Sequence, residues 1–366
     1  MKVAFRADAS IQIGTGHVTR CLTLANELAR QGHECWFVCR EHPGNLGDLI
    51  ASQGHSLTLL PAPAIQWPQE KDTVSDDYAL WLGAPWQEDA RQTMEVISPL
   101  KLDWLVVDHY ALDAQWEYTV ASAVGDIMVI DDLANRPHAC ALLLDQNLGR
   151  FVSDYDGFLP SECHRLVGPC FALLRPEFSA LREQSLERRK QTELKRILIS
   201  LGGVDRDNFT GKVLEALATS SLYSSTELDI IMGAAAPYLD DVRQQAAQLP
   251  FKTTVSVNVK DMAARMYQAD LSIGAAGSTS WERCCMGLPS ITVILAENQR
   301  SIAEALSKYK ASLLVDTSRV TEEIAEMIQV YASDAEIRSL LTQNAAQVCD
   351  GAGAERIVSA FNGAIK

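Results

Sequence analysis

The sequence predicts an α/β protein of two parallel-sheet domains facing a central cleft, and three observations carry that expectation. Continuous apolar runs alternate with amphipathic helical segments, the pattern of a parallel sheet covered on both faces. The pattern is written twice, once from Lys2 and again from about residue 195. The chain has 366 residues, the length of two ordinary domains rather than one.

In the first half, residues 2–5 (KVAF) read as a strand. Next, 17–32 (HVTRCLTLANELARQG) sets Val18, Cys21, Leu22, Ala25, Leu28 and Ala29 on one helical stripe, with Gly32 as its stop. Residues 35–40 and 56–60 are strand-like. So are 103–110, 126–132 and 141–147, and each of these runs ends in carboxylates or amides. The stretch 62–98, acidic and rich in Trp and Pro, reads as a partly helical insertion on this half. The proline-bearing, then charged, segment 168–193 has the composition of a connector.

In the second half, 195–200 is a strand, Gly202-Gly203 a turn, and Phe209 to Ala218 a helix. Strands at 227–233 and 253–259 alternate with helices at 240–249 and 260–269. Residues 271–287 repeat strand, glycine loop and helix, and 289–295 and 311–315 are further strands. The expected division is a Rossmann-like domain at 1–170, a connector at 171–193, a second such domain at 194–350 and a closing helix at 351–366.

A net charge of −15 argues against a nucleic-acid binder, which needs surplus Lys and Arg, and against docking on an anionic membrane. It leaves room for a small anion held by backbone N–H groups. The opening MKVAFRADAS is too polar for a signal peptide, and no run reaches the roughly 18 apolar residues of a membrane span, so a cytoplasmic protein is expected. Nine cysteines without a C-x-x-C pair read as free thiols, and no metal or cofactor is expected.

Three glycine loops carry the candidate chemistry. Gly14-Thr15-Gly16-His17 begins like a dinucleotide fingerprint, but Thr19 stands where the third glycine belongs. A helix N-terminus disfavours an imidazolium, so His17 reads as a neutral proton acceptor or as a capping or packed histidine. Gly202-Gly203 precedes Asp205-Arg206-Asp207, formally a metal-binding D-x-D but equally a pair of acids complementing a helix dipole. The third loop runs Gly274-Ala275-Ala276-Gly277-Ser278-Thr279-Ser280-Trp281-Glu282. It offers N–H and O–H donors for a diphosphate, with Glu282 placed for ribose hydroxyls; Thr279-x-x-Glu282 is also a capping box that needs no ligand. Asn298 and Gln299 follow a strand end, where α/β sheets bind ligands, and Arg175 lies in the expected connector.

The stretches FRADASIQIGTGHVTRCLTLA (5–25), VVDHYALDAQWE (106–117), VIDDLANRPH (129–138), LLLDQN (142–147), ALLRPEF (172–178), SLGGVDRDN (200–208), GAAGSTSWERCCMGLPS (274–290) and AENQ (296–299) stand in that order. Together the chain resembles the UDP-2,4-diacetamido-2,4,6-trideoxy-β-L-altropyranose hydrolases of pseudaminic acid biosynthesis. The resemblance implies the glycosyltransferase-B (GT-B) fold, with the C-terminal helix crossing back to the first domain. It also implies metal-free, cofactor-free cleavage of a UDP-sugar by water. By it, His17 corresponds to the catalytic base and 274–282 to the nucleotide site. Gly14, Gly16, Tyr110, Arg175, Gly202, Gly203, Gly277, Ser278, Thr279, Glu282, Asn298 and Gln299 are the expected substrate contacts. A transferase of the same fold and a non-catalytic UDP-sugar sensor are the rival readings.

Overall fold

The computed structural model describes residues 1–63, 78–191, 193–220 and 222–364, so 64–77 of the expected insertion lie outside the described residues. The chain divides into two compact units, Met1–Leu173 with Ala352–Lys366, and Leu174–Gly351.

The first unit holds strands β1 (Lys2–Ala7), β2 (Glu34–Arg40), β3 (Ser56–Leu60), β4 (Leu102–Asp108), β5 (Val124–Ile130), β6 (Leu142–Asp145) and β7 (His164–Val167). They form one parallel sheet in the order β3-β2-β1-β4-β5-β6-β7. Side-chain alternation sends Val3 and Phe5 of β1 to one face, where they pack with Val18, Cys21, Leu22, Ala25 and Leu28 of the helix Gly16–Arg30. Ala4 joins Leu105, Val107 and Trp116 on the other face. The sequence pattern misses β7, a four-residue strand with His164 and Arg165 at the edge of the sheet and no fully buried position.

The closing helix, Gly353–Ala364, belongs to this first unit. Its Ile357, Val358 and Phe361 are fully buried in the same core as β1, and the Phe361 ring lies 4.7 Å from that of Trp104. Each such side chain contributes about 1.5–3 kcal/mol of burial, which explains a terminal helix held so firmly to strands far away in sequence.

The stretch expected as an insertion reaches into the buried core. Its helix Trp86–Ile97 carries Asp89, fully buried, which accepts hydrogen bonds from Arg6, Arg40 and Trp116. Arg6 is itself fully buried in β1 and also binds Asp8. Removing one charge from this network would leave the others unpaired in a dry interior. Residues 86–97 are therefore a covering layer of the sheet.

The second unit holds β8 (Arg196–Ser200), β9 (Glu227–Met232), β10 (Lys252–Val257), β11 (Leu271–Ala275), β12 (Ser290–Val293) and β13 (Leu313–Val315). Its parallel order is β10-β9-β8-β11-β12-β13. The segment expected as a connector contains the helix Pro176–Arg188, fastened within this unit. Arg182 donates to the carbonyls of Cys285, Ala346 and Cys349, and Ser185 to that of Met286. The charge run that suggested a linker mixes solvent-facing side chains with arginines that bind carbonyls. Eight of the nine cysteines are buried free thiols. No described helix is long and apolar enough to cross a membrane.

Candidate functional site

In each unit the chain reverses its sheet order between two central neighbours, β1 and β4 in the first and β8 and β11 in the second. Ligands of open α/β sheets bind beyond the carboxyl ends of such strands. The glycine loops after β1, β8 and β11 all emerge there.

In the first unit, Ala7 at the end of β1 pairs with Asp108 at the end of β4. The loop between them and the first helix is tightly closed. Ser10 and Gly14 exchange backbone hydrogen bonds, and the Ser10 hydroxyl accepts from the amides of Gln12 and Ile13. Gly14 turns there at φ +83°, in the left-handed region that glycine tolerates without strain. The helix then starts at Gly16, with His17 in its first turn.

The His17 imidazole meets Asp108 across 2.6 Å, Nδ1 to Oδ1. Burial works to raise the Asp108 carboxyl, but Arg20 and His17 beside it hold it well below the usual carboxylate range. An ionised Asp108 can only accept, so Nδ1 donates and Nε2 is left as the acceptor. The His17 side chain keeps 9% of its surface exposed, a narrow opening for a reacting molecule. Arg20, one helical turn on, grips both oxygens of Asp108 at 2.6 and 2.7 Å. Its third nitrogen reaches Asp132 at 2.7 Å, and the Tyr110 hydroxyl donates to the same Asp132 oxygen at 2.8 Å. Burial and then Asp132 push the Tyr110 phenol well above its ordinary range, so it stays a donor.

Rings crowd the imidazole. Tyr110 stands edge-on to His17 with centroids 4.7 Å apart, and Trp81 lies at 6.1 Å. Trp81 stacks on Tyr110 at 5.6 Å, and Tyr78 meets both edge-on at 4.9 and 5.0 Å. Behind the ionic cluster, fully buried Asp145 binds Arg150 and the Tyr155 hydroxyl. Burial and the neighbouring Asp132 still raise its carboxyl to about 7.

The second unit offers a different construction. After β8, Gly202 and Gly203 form the turn. Asp205 does not point outward: its two oxygens accept the amides of Phe209 and Thr210, while Asn208 caps the helix through Gly211. The formal D-x-D is thus built around a helix cap. Among the described residues, no group of three or more His, Cys, Asp or Glu is placed to hold a metal ion.

After β11, Gly277 and Ser278 lead into the short helix Thr279–Cys285. The capping box that Thr279 and Glu282 spell does not form, because the N-cap is Ser278 and no side chain caps the turn. Glu282 instead faces Arg175 at 3.7 Å, and Arg175 also pairs with Glu177 at 3.0 Å. Burial raises the Glu282 carboxyl to about 7. Beneath the loop lies Arg283, 2% exposed, donating to the Ala275 carbonyl and to the hydroxyls of Ser280 and Thr279. Two of the three expected outward hydroxyls are therefore turned inward. Gly274 permits this packing, since a Cβ there would stand 2.6 Å from the Arg283 guanidinium and 3.0 Å from the Ser200 carbonyl. Gln299 accepts the Leu295 amide and so fixes the loop after β12. Asn298 stands in the same turn, and its side chain is outside the described residues.

The first unit brings His17 and Tyr110 together beside Gly14 and Gly16, and the second brings Arg175 to Glu282 beside Gly277, Ser278 and Thr279. Sequence reasoning missed the roles of Asp108, Arg20, Asp132, Tyr78, Trp81 and Arg283. The carboxylates ending the apolar runs VVD and VIDD signalled Asp108 and Asp132. Arg20 is one helical turn beyond His17, a spacing that puts both on one face.

The glycosyltransferase family 28 C-terminal domain matches residues 182–357. The chain is 25% identical over 308 residues to the UDP-2,4-diacetamido-2,4,6-trideoxy-β-L-altropyranose hydrolase of Campylobacter jejuni, a match covering 84% of this chain and 97% of that one. It is 28% identical over 171 residues to the spore coat polysaccharide biosynthesis protein SpsG of Bacillus subtilis, over 46% of this chain and 50% of the relative. In fold it is similar to MurG of Acinetobacter baumannii, with a TM-score of 0.69 at 16% identity over 99% of both chains. The calicheamicin glycosyltransferase CalG4 gives 0.65 at 14% identity, over 99% of this chain and 98% of that one. With two parallel-sheet α/β domains of the GT-B type, the chain is similar to that hydrolase over nearly the full length of the Campylobacter protein.

Proposed function

We propose that this protein is a UDP-sugar hydrolase that cleaves UDP-2,4-diacetamido-2,4,6-trideoxy-β-L-altropyranose to UDP and 2,4-diacetamido-2,4,6-trideoxy-L-altrose, in pseudaminic acid biosynthesis and without a metal. The observation that carries the reading is the His17–Asp108 pair, which leaves Nε2 as the acceptor on a side chain still 9% exposed, at the strand ends where this sheet type binds ligands. Water attacks the anomeric carbon while Nε2 takes its proton, and Asp108 steadies the imidazolium that forms. The C1–O bond to the diphosphate breaks with its electron pair leaving on UDP. One displacement inverts the anomeric centre.

UDP departs as a stable anion, so the second unit needs donors for developing negative charge rather than a strong acid. The 274–278 loop, with the Arg283 guanidinium beneath it, suits that task. Glu282 is assigned to the ribose, a role supported by its release from helix capping. Gly202, Gly203, Asn298 and Gln299 are assigned to the same ligand through their place at strand ends.

A transferase reading has its own support, because the matched domain and the similar structures are glycosyltransferases. Incubation with the UDP-sugar in water, without any acceptor, separates the two. Release of free sugar and UDP in equal amounts at a steady rate is the expected outcome. UDP release only after adding an acceptor would establish transfer instead, and binding without turnover a sensor.

A further inference from the structure

The rings beside His17 are not core packing left over. Tyr78 and Trp81 sit on the 3-10 turn Tyr78–Leu82, and Leu82 anchors that turn at 2% exposure in the core beneath the sheet. Gly83 follows at φ +69°, so close to its neighbours that a Cβ would lie 2.9 Å from Pro63 and 3.0 Å from His42. The turn is thereby locked by burial on one side. Tyr78, Trp81 and Tyr110, by contrast, are only half-buried. Three partly open aromatic rings within 4.9 to 5.6 Å of one another, next to the His17 imidazole with its 9% opening, form a wall that a ligand can touch. The Tyr110 hydroxyl is committed to Asp132, so this residue offers a ligand its ring rather than a hydrogen bond.

From this geometry we infer that Trp81, with Tyr78 and Tyr110, forms a specificity-determining subsite for the glycosyl group, selecting sugars that present C–H and methyl groups over fully hydroxylated ones. The inference rests on the UDP-sugar reading above. The negative face of an aromatic ring attracts C–H groups and offers no partner to most hydroxyls. A sugar hydroxyl pressed on such a wall loses its water without replacement, whereas a methyl group loses nothing. A 6-deoxy sugar is therefore favoured over its 6-hydroxy counterpart. Trp81 and Tyr78 lie in the acidic, Trp-rich segment 62–98, so that segment would read the sugar beside the base that cleaves it.

The test compares two ligands that differ only at C6, a UDP-N-acetylhexosamine and its 6-deoxy counterpart. Affinities are measured by calorimetry and turnover by UDP release, in the full-length wild type, Trp81→Ala, Trp81→Phe and Tyr78→Leu. Wild type should favour the 6-deoxy sugar by about 10-fold or more, the usual worth of such a difference in an apolar pocket. Trp81→Ala should shrink that preference below about 3-fold, Tyr78→Leu should weaken it, and Trp81→Phe should keep most of it. Affinity for UDP alone should stay unchanged throughout, and a wild-type circular dichroism spectrum and melting temperature report that each variant is folded. Equal affinity of wild type for the two sugars overturns the subsite, as does an undiminished preference in a folded Trp81→Ala. Discrimination in binding with no turnover of either sugar would keep the subsite and remove hydrolysis.

Discussion

The two units share a strand order and carry glycine loops at the same strand ends, yet they are equipped differently. The first sets a side-chain network at the ends of β1, β4 and β5, in which His17, Arg20, Tyr110, Asp108 and Asp132 hold one another in fixed geometry. The second sets a glycine loop over a buried guanidinium, with one raised carboxyl beside it. A network of charges fixes a proton acceptor, whereas backbone amides and a buried cation hold an anion without needing a basic surface. The net charge of −15 is compatible with that second device, because it works at short range.

If this division holds, the largest effect belongs to the base. His17→Asn should lower kcat by about 10³-fold, within the usual range for a general base, while leaving UDP affinity within about 2-fold of wild type. Asp108→Asn should cost about 10²-fold, because the asparagine no longer fixes the donor on Nδ1 or steadies the imidazolium. Arg20 would still be held by Asp132 in that variant. Single-turnover kinetics with calorimetry of UDP binding checks both, and a weakened UDP affinity in either variant would break the separation of roles.

Variants in the second unit should give the reverse pattern. Glu282→Ala should weaken UDP about 10-fold, the scale of lost hydrogen bonds to a charged group, with kcat at saturation little changed. Because Glu282 titrates at about 7 and its ionised form is the better acceptor, wild-type affinity for UDP should rise between pH 6 and 8. Glu282→Gln should flatten that rise. Smaller still is Gly274→Ala, whose added methyl must displace Arg283 or strain the strand. Overpacking of that kind costs about 1–3 kcal/mol, seen as a lower melting temperature with weaker UDP binding and an unaltered pH profile of kcat.

What could be read in advance follows from how far each interaction reaches along the chain. The alternation of strands and helices is local, and it gave both sheets except β7, where His164 and Arg165 at an edge hid the apolar signal. The loops at 14–17 and 274–282 were visible because glycine and hydroxyl residues cluster within a few positions. The Asp108 partner of His17 was not, since 91 residues separate two groups that meet only once β1 and β4 pair. Likewise the charged 168–193 looked like a linker until Arg182 and Ser185 found carbonyls more than 100 residues away. The capping box was a case of local reading that failed: its residues are correctly spaced, but the helix starts at Thr279 rather than one residue later.

The least effect, and the sharpest contrast between units, concerns a second raised carboxyl. Asp145 accepts hydrogen bonds from Asn147, Arg150 and Tyr155, yet burial and Asp132 together hold its carboxyl at about 7. An unfolded aspartate titrates near 3.9. Between about pH 4 and 7 the folded protein therefore keeps a proton that the unfolded chain has lost, so this group's contribution to stability falls as pH rises through that window. Asp145→Asn removes the titration. The melting temperature of the variant, measured against wild type, should thus climb by a few degrees from pH 5 to pH 8, on the scale of about 2–4 °C per kcal/mol for a unit of this size. A difference that stays constant across that range would show that Asp145 is ionised throughout. Saturating UDP should leave the Asp145 difference unchanged while it alters the corresponding one for Glu282→Gln, if Glu282 meets the ligand as proposed and Asp145 does not.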